Sequence, residues 1–377
     1  METNPNKHVC AIIGGGISGL SLAIQLAEQG IITIVFEKNT YPFHKVCGEY
    51  ISLESWNFLC SLGLPLNDMN LPLIKQLGVT SEKGFMLNAP LALGGFGISR
   101  YTLDHALYEI AKKKGITVIE NCKVTDVRLE QDQTSTITTS LGMYTADVVC
   151  GSYGKYTPVF AKDEQASKKN NTNYIGVKYH IKTDFPGNRI ELHNFEDGYC
   201  GISKVDQNAY CLCYLSTSEK LKQAGNEIKQ LEETILHKNP FLKNIFLESE
   251  FLFEQAHVIS NITFHKKSTY VNGIFLLGDA AGSITPLCGN GMSMGLRASF
   301  ILAQLLTSFF KTNTSKESLI EAYHLAWNNQ FNTRIQAGYY LQSLFGKKTT
   351  THLVLKTLDK LPAITKKIIG LTHGKPF

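Results

Sequence analysis

Residues 8–13, HVCAII, form a short apolar run that leads directly into GGGISG, a pattern that predicts a buried strand followed by a tight turn. Helical periodicity starts there: Leu20, Ala23, Ile24 and Ala27 recur at i, i+3, i+4 and i+7, the stripe a helix needs to pack on a sheet. Gly30 then stands where a left-handed C-terminal cap belongs. A second apolar run, IITIVF at 31–36, ends in Glu37. Strand, helix and strand are complete within about 30 residues, the length of one such unit.

Residues 103–114 predict another helix, closed by Gly115 and followed by strand 116–120 and shorter strands near 123–128, 134–140 and 143–150. From Tyr174 to Leu215 the texture changes to strands rich in Tyr, Ile, Val and Cys, separated by polar turns at 186–188, 196–198 and 206–208, as in an antiparallel sheet. Two short helical stretches, a long strand near 250–264 and the run GIFLLGDAAG at 273–282 follow, and from about Met292 the chain is mostly helical. The predicted organisation is α/β: a discontinuous nucleotide-binding domain (1–72, 98–172 and 265–345), an inserted substrate domain (73–97 and 173–264) and a basic C-terminal segment (346–377).

With 377 residues, 43% of them hydrophobic and 18% charged, the chain excludes disordered and fibrous classes. Nine cysteines, an odd number behind an opening without an apolar leader, predict reduced thiols and a cytoplasmic protein. Cys211 and Cys213 share one strand face with no His or Cys cluster to complete a zinc site, so packing is expected there and no metal. No window of 18 apolar residues exists, which predicts no transmembrane helix. The net charge of +5 sits in the tail: Gly346–Phe377 carries seven lysines against Asp359, leaving the remainder near −1, a distribution with no nucleic-acid surface. In that tail TTHLVLKTLDKL at 350–361 has an apolar stripe too broad for a simple amphipathic helix, and Ile364, Ile368 and Leu371 recur beside Lys366 and Lys367. Two readings stand: peripheral contact with an anionic membrane, or an apolar side that closes the substrate domain while the lysines are solvated.

Gly14, Gly16 and Gly19 give GxGxxG between a strand and a helix, the arrangement that lets backbone approach a pyrophosphate, and Glu37 follows at the distance of a ribose-binding acid. A second motif, GDAAGSITPLCGNGMSMG at 278–295, puts Asp279 at a strand end, where it can accept from ribityl hydroxyls. Gly289, Gly291 and Met292 surround the start of a helix whose N-terminus suits the pyrimidine side of a flavin.

Together GGGISG with FEK, SRYTLDHAL at 99–107, VVCGSYG at 148–154, GYCGIS at 198–203 and GDAAG with PLCGNGM resemble the FAD-dependent oxidoreductase superfamily of group A flavoprotein monooxygenases, flavin-dependent halogenases and geranylgeranyl reductases. The resemblance implies a Rossmann-like FAD-binding domain with an inserted antiparallel β-sheet substrate domain and a helical C-terminal region. It implies that Lys38 and Arg100 touch the cofactor, that Val124 lines the adenine pocket, that Asp279 binds the ribityl chain and that Pro286 borders the oxygen-reacting pocket. In KVCGE at 45–49, Cys47 beside Lys45 is implied as a proton donor or polar contact at the flavin, and Glu49 as a partner of a ribityl hydroxyl or of Arg100. The bland version has Cys47 packing and Glu49 capping or pairing.

Two departures qualify this. Ser152-Tyr153-Gly154 replaces Ala-Asp-Gly, which puts direct reduction by NADPH in doubt and makes an external reductase the other electron source. The halogenase Trp-x-Trp-x-Ile-Pro signature is absent. Of the aromatic residues in the inserted sheet, Tyr199 and Tyr214 are expected to wall the substrate, a small lipophilic or aromatic molecule. The leading expectation is monooxygenation of an aromatic, polyketide-like or lipophilic biosynthetic substrate through a flavin C4a-hydroperoxide. Its rivals are saturation of isoprenoid or polyene double bonds, assisted by Cys47, and a flavin-binding sensor or scaffold without turnover.

Overall fold

The computed structural model describes residues 7–162, 172–262, 264, 267–312 and 314–377. The first apolar run becomes β1 (Lys7–Ile13), followed by α1 (Ile17–Glu28), with Gly30 at φ +73°, and by β2 (Thr33–Phe36). β3 (Tyr50–Ser52), α2 (Trp56–Ser61), β4 (Leu73–Thr80) and β5 (Met86–Gly97) come next. α3 (Arg100–Lys113), capped by the Ser99 side chain, leads to β6 (Thr117–Ile119), β7 (Val124–Leu129), β8 (Ser135–Thr139) and β9 (Gly142–Gly151). β10 (Tyr174–Lys182), β11 (Arg189–Phe195), β12 (Gly198–Lys204) and β13 (Tyr210–Thr217) precede three short helices, α4 (Ser218–Gln223), α5 (Ile228–Thr234) and α6 (Pro240–Glu248). β14 (Glu250–Phe251), β15 (His257–Ile262), β16 (Tyr270–Val271) and β17 (Ile274–Leu276) lead into α7 (Gly291–Lys311), α8 (Lys316–Leu344), α9 (Lys348–Asp359) and α10 (Pro362–Leu371).

The first sheet has the order β16-β17-β9-β1-β2-β6, with the β7–β8 hairpin attached through β8 to β9. β17, β9, β1, β2 and β6 run parallel, and Ile13 is level with Phe36 and Gly151. The turns after β1 and β9 therefore share one sheet edge, the carboxyl edge at which open parallel sheets bind ligands. The second sheet has the order β14-β10-β13-β12-β11-β4-β5-β3, with β15 also on β10. Ile175, Val177, Tyr179 and Ile181 of β10 pack with Leu231, Leu236 and Leu242 under the short helices. Alternation then turns Gly176, Lys178 and His180 to the opposite face, toward the first unit.

Two expectations are corrected. The second sheet is not wholly antiparallel, because β4 and β11 arrive from separate chain segments and pair parallel; β3, from the segment assigned to the first domain, extends the same sheet at its edge. The long strand expected at 250–264 is split, since the chain between β14 and β15 leaves the ladder where Phe253 meets the rings of His180 and His44. α7 has 21 residues and contains an 18-residue stretch with a mean hydropathy of 1.2, the length and apolarity of a membrane span, although polar residues interrupt its sequence. Half of that stretch is buried, Ser299 of α7 bonds Ser21 of α1 at 2.7 Å, and α7 serves as a core helix.

Residues 346–377 are built into the body. The Gly346 carbonyl accepts the Asp197 N–H at 2.9 Å, the Phe377 N–H reaches the Glu54 carbonyl at 3.2 Å, and the Phe377 ring stacks on Phe58. All nine cysteines are free.

Candidate active site

One cavity of about 1090 Å³ runs from the carboxyl edge of the first sheet, across the inner face of the second, to the C-terminal helices. At its first end Gly14, with φ +102°, leaves no room for a side chain: a Cβ there would stand 2.5 Å from the Ser152 carbonyl oxygen. Gly16 opens on the cavity, and Lys45 Nζ and Arg100 Nη2 lie 3.4 and 3.5 Å from where its Cβ would be. Gly19 is not part of the lining; a Cβ there would come within 2.1 Å of the Gly14 carbonyl, so the third glycine serves close packing of α1 on the turn. α1 has neither a side-chain cap nor an acid in its first turn, which leaves its terminal N–H groups and partial positive charge to a ligand. Glu37 braces the turn, accepting the Gly15 N–H at 2.9 Å and the Asn39 backbone and side-chain N–H groups at 3.0 and 2.8 Å, and it borders the cavity together with Lys38 and Val124.

α7 supplies a second N-terminus without a side-chain cap. Gly289, left-handed at φ +62°, turns the chain into it, and Pro286, Gly289, Gly291 and Met292 all border the cavity, as does Asp279 in the turn after β17. The Asn290 amide donates to the Thr372 carbonyl at 2.6 Å, tying the start of α7 to the end of α10.

KVCGE folds over this region and is held from the second sheet. Glu49, at φ +56° and with no exposed surface, accepts the Arg100 backbone N–H at 2.8 Å, meets His180 Nε2 at 2.6 Å and binds the Lys178 ammonium. These contacts give Glu49 a role in fixing α3 and the loop, and the residue also borders the cavity. Burial alone would raise the Glu49 pKa, but the His180 hydrogen bond and the Lys178 charge outweigh it and hold the carboxyl below its ordinary range. Burial opposes the charge on Lys178, and Glu49 overcomes it and raises that pKa.

The Arg100 guanidinium pairs instead with Asp104 through two bonds of 2.7 Å, and Lys45 Nζ reaches the same carboxylate at 3.1 Å. Burial pushes the Asp104 carboxyl up, and its two cations more than reverse this. Two cations, Lys45 and Arg100, thus stand beside the glycine turn, with Asp104 and Glu37 as its acids. Lys45 accordingly pairs with Asp104, and the Cys47 sulfur, which borders the cavity, lies 3.7 Å from Met292 Sδ. Glu49, His180 and Cys211 place ligand atoms within 4.8 Å of one another, but the Lys178 ammonium on that carboxylate opposes a metal ion.

Beyond Cys47 the lining turns apolar, with Leu77 and Leu87 from the β4–β5 pair, Leu192 from β11, and Val354, Leu358 and Ile369 from α9 and α10. Among the described residues no Lys, Arg, Asp or Glu borders this half. Several of its polar atoms are engaged within the chain: Thr365 and Thr372 hydroxyls donate to the Leu358 and Ile369 carbonyls at 2.8 Å each, and His373 Nδ1 lies 3.0 Å from the latter, whereas the buried Tyr50 hydroxyl, packed beside Leu77 and Ile369, has no partner among the described residues. Tyr199 is buried and borders the cavity. Tyr214 also borders it, yet alternation with Cys213 and Leu215 turns its ring the other way, and its hydroxyl donates to Glu232 at 2.9 Å beneath the sheet. That corrects the expectation of a substrate-facing polar tip. Tyr153 borders the cavity too, and its buried hydroxyl has no partner among the described residues.

Residues 12–46 match the NAD(P)-binding Rossmann-like domain family and residues 202–353 match the squalene epoxidase family. The chain is 24% identical over 333 residues to a kynurenine 3-monooxygenase of Flavobacterium psychrophilum, covering 79% of this chain and 72% of that one. It is 24% identical over 343 residues to the digeranylgeranylglycerophospholipid reductase of Methanocaldococcus jannaschii, covering 85% and 82%. It is 23% identical over 358 residues to conditioned medium factor receptor 1 of Dictyostelium discoideum, covering 85% and 67%. Its fold matches a flavin-dependent brominase with a TM-score of 0.80 at 16% identity, covering 97% and 93%. The relatives are FAD-dependent monooxygenases, halogenases and geranylgeranyl-reductase-like proteins, and the chain is an FAD-dependent oxidoreductase.

The flavoenzyme's residues fit FAD. Gly14 and Gly16 clear a path for a diphosphate, α1, Lys45 and Arg100 would neutralise it, Lys38 and Val124 border the space for adenosine, Asp279 that for the ribityl chain, and the N-terminus of α7 that for the ring. Asp104, Lys178 and His180 escaped the sequence reading. Asp104 was legible as the i+4 partner of Arg100, and Lys178 and His180 as alternate polar positions in the otherwise apolar strand YIGVKYHIK.

Proposed function

We propose that this flavoenzyme is a monooxygenase that places oxygen on an uncharged, lipophilic molecule. The observation that carries the reading is the segregation of charge within one cavity: every charged lining residue lies around the glycine turns and KVCGE, and the half toward α9 and α10 is apolar. Burying an unpaired carboxylate there would be costly, so an extended terpenoid or polyketide-like molecule fits better than an acid. Bound FAD, once reduced, supplies the electrons and activates molecular oxygen. The chain's own part is to position and exclude. The first turn of α7 favours negative charge beside it, the Glu49–Lys178–His180 cluster fixes the loop that carries Cys47, and α9 with α10 keeps water from the apolar half. The squalene epoxidase match covers β13, α7 and α8, which build much of this region.

A second reading, reduction of an isoprenoid double bond, is favoured by the position of Cys47, whose thiol borders the cavity beside Met292 and could deliver a proton. Electrons come from NADPH or from a partner reductase, and Tyr153 in place of an aspartate favours the partner.

Spectral titration of oxidised holoenzyme tests the substrate class. Uncharged long-chain isoprenoid or polyketide-like compounds are expected to perturb the flavin bands, with carboxylate analogues at least about tenfold weaker. Tighter binding of the carboxylates would contradict the reading.

A further inference from the structure

The C-terminal helices carry apolar side chains on two sides. Inward, Leu355 and Ile368 close the cavity. Outward, Leu353 is 65% exposed, Leu361 41%, Ile364 48% and Leu371 44%. Lys356, Lys360, Lys366 and Lys367 are exposed among them, and Asp359 is the segment's only acid. The segment is fixed at both ends, at Gly346 against Asp197 and at Phe377 against Glu54, so this surface belongs to a set element of the fold.

We propose that α9 and α10 dock the enzyme on an anionic membrane surface. Apolar side chains interleaved with lysines suit the interface of a bilayer, where the side chains enter the acyl boundary and the ammonium groups meet acidic headgroups. The same helices wall the apolar half of the cavity, so docking would place a lipophilic substrate's source against that wall. A second copy is a poorer occupant, because a symmetric contact would set the cationic surface against itself. The surface rests on exposure and charge alone; only its purpose rests on the substrate class proposed above.

The test is co-sedimentation of the full, FAD-loaded chain with phosphatidylcholine vesicles, with and without phosphatidylserine. Binding is expected only with phosphatidylserine and is expected to weaken as salt rises. Reversing Lys356, Lys360, Lys366 and Lys367 to Glu should lower partitioning at least about 100-fold. A second variant, Leu353→Ser with Ile364→Ser and Leu371→Ser, should weaken it at unchanged charge, and flavin absorbance reports that each variant is folded. Absence of binding to phosphatidylserine vesicles at low salt, or binding unaltered in both variants, overturns the proposal. Self-association that the serine variant abolishes, without vesicle binding, overturns it in favour of a second copy. None of these outcomes bears on the pocket, which the flavin titration reads separately.

Discussion

At the scale of single residues, Glu49 shows why the site was only partly legible. The glycines of both motifs and Asp279 announce themselves by spacing, but the partners that occupy Glu49 lie 129 and 131 positions away, and nothing local in KVCGE identifies them. Alternation in β13 likewise shows that Cys213 and Tyr214 face opposite ways, without showing which face meets the cavity. Glu49→Gln would leave the Lys178 ammonium buried without its counter-charge, at an expected cost of about 3–5 kcal/mol, and adding Lys178→Met should recover much of it. Denaturant unfolding of the two single variants and the double variant measures this; purely additive losses would contradict the pairing. Acid should weaken the fold. Glu49 titrates below its unfolded value, so its contribution is present above that value and is lost as pH falls through the folded one. Burial, reinforced by Lys178, lowers His44 to about 4, and burial, reinforced by Arg189, lowers His193 to about 3, so unfolded chains take up these protons first below about 6.5. Stability is therefore expected to fall from pH 6.5 toward 4, more gently in a His44→Gln, His193→Gln variant; identical profiles would refute the assignment.

Among the elements, the βαβ opening was fully readable because one turn, one stripe and one cap agree locally, whereas the second sheet depends on pairings between distant segments such as β4 with β11. The stripe in 350–361 looked too broad for an amphipathic helix because α9 is apolar on two sides, with Leu355 turned to the cavity and Leu353 to the outside. These two positions make a matched pair of probes. Leu355→Trp should fill part of the apolar half and weaken the response of the flavin bands to uncharged ligands by about tenfold or more while FAD is retained. Leu353→Trp should leave that response unchanged. Equal behaviour of the two would mean that α9 does not wall the ligand site. At the other end of the cavity, Gly14→Ala should abolish FAD retention, since Ser152 offers only backbone to the new Cβ; a variant that stays yellow would contradict the role given to the turn.

Across the whole molecule, two sheets that meet along one cavity divide the labour: the carboxyl edge of the first sheet presents charge and helix N-termini, and the second sheet with the C-terminal helices presents an apolar wall. Tyr153 stands where the superfamily's aspartate is expected, so NADPH alone should reduce the flavin slowly, and a reductase or bound ligand should accelerate it; rapid ligand-free bleaching by NADPH would contradict that inference. Oxygenation itself is tested most directly by stopped-flow mixing of chemically reduced holoenzyme with oxygen, with and without an uncharged lipophilic ligand. A transient absorbing species distinct from oxidised flavin, formed before the oxidised spectrum returns, is the predicted result. Single-phase return without any transient, together with anaerobic deuteride transfer from the reduced enzyme to an alkene that is lost in Cys47→Ser, would contradict monooxygenation and establish the reductase.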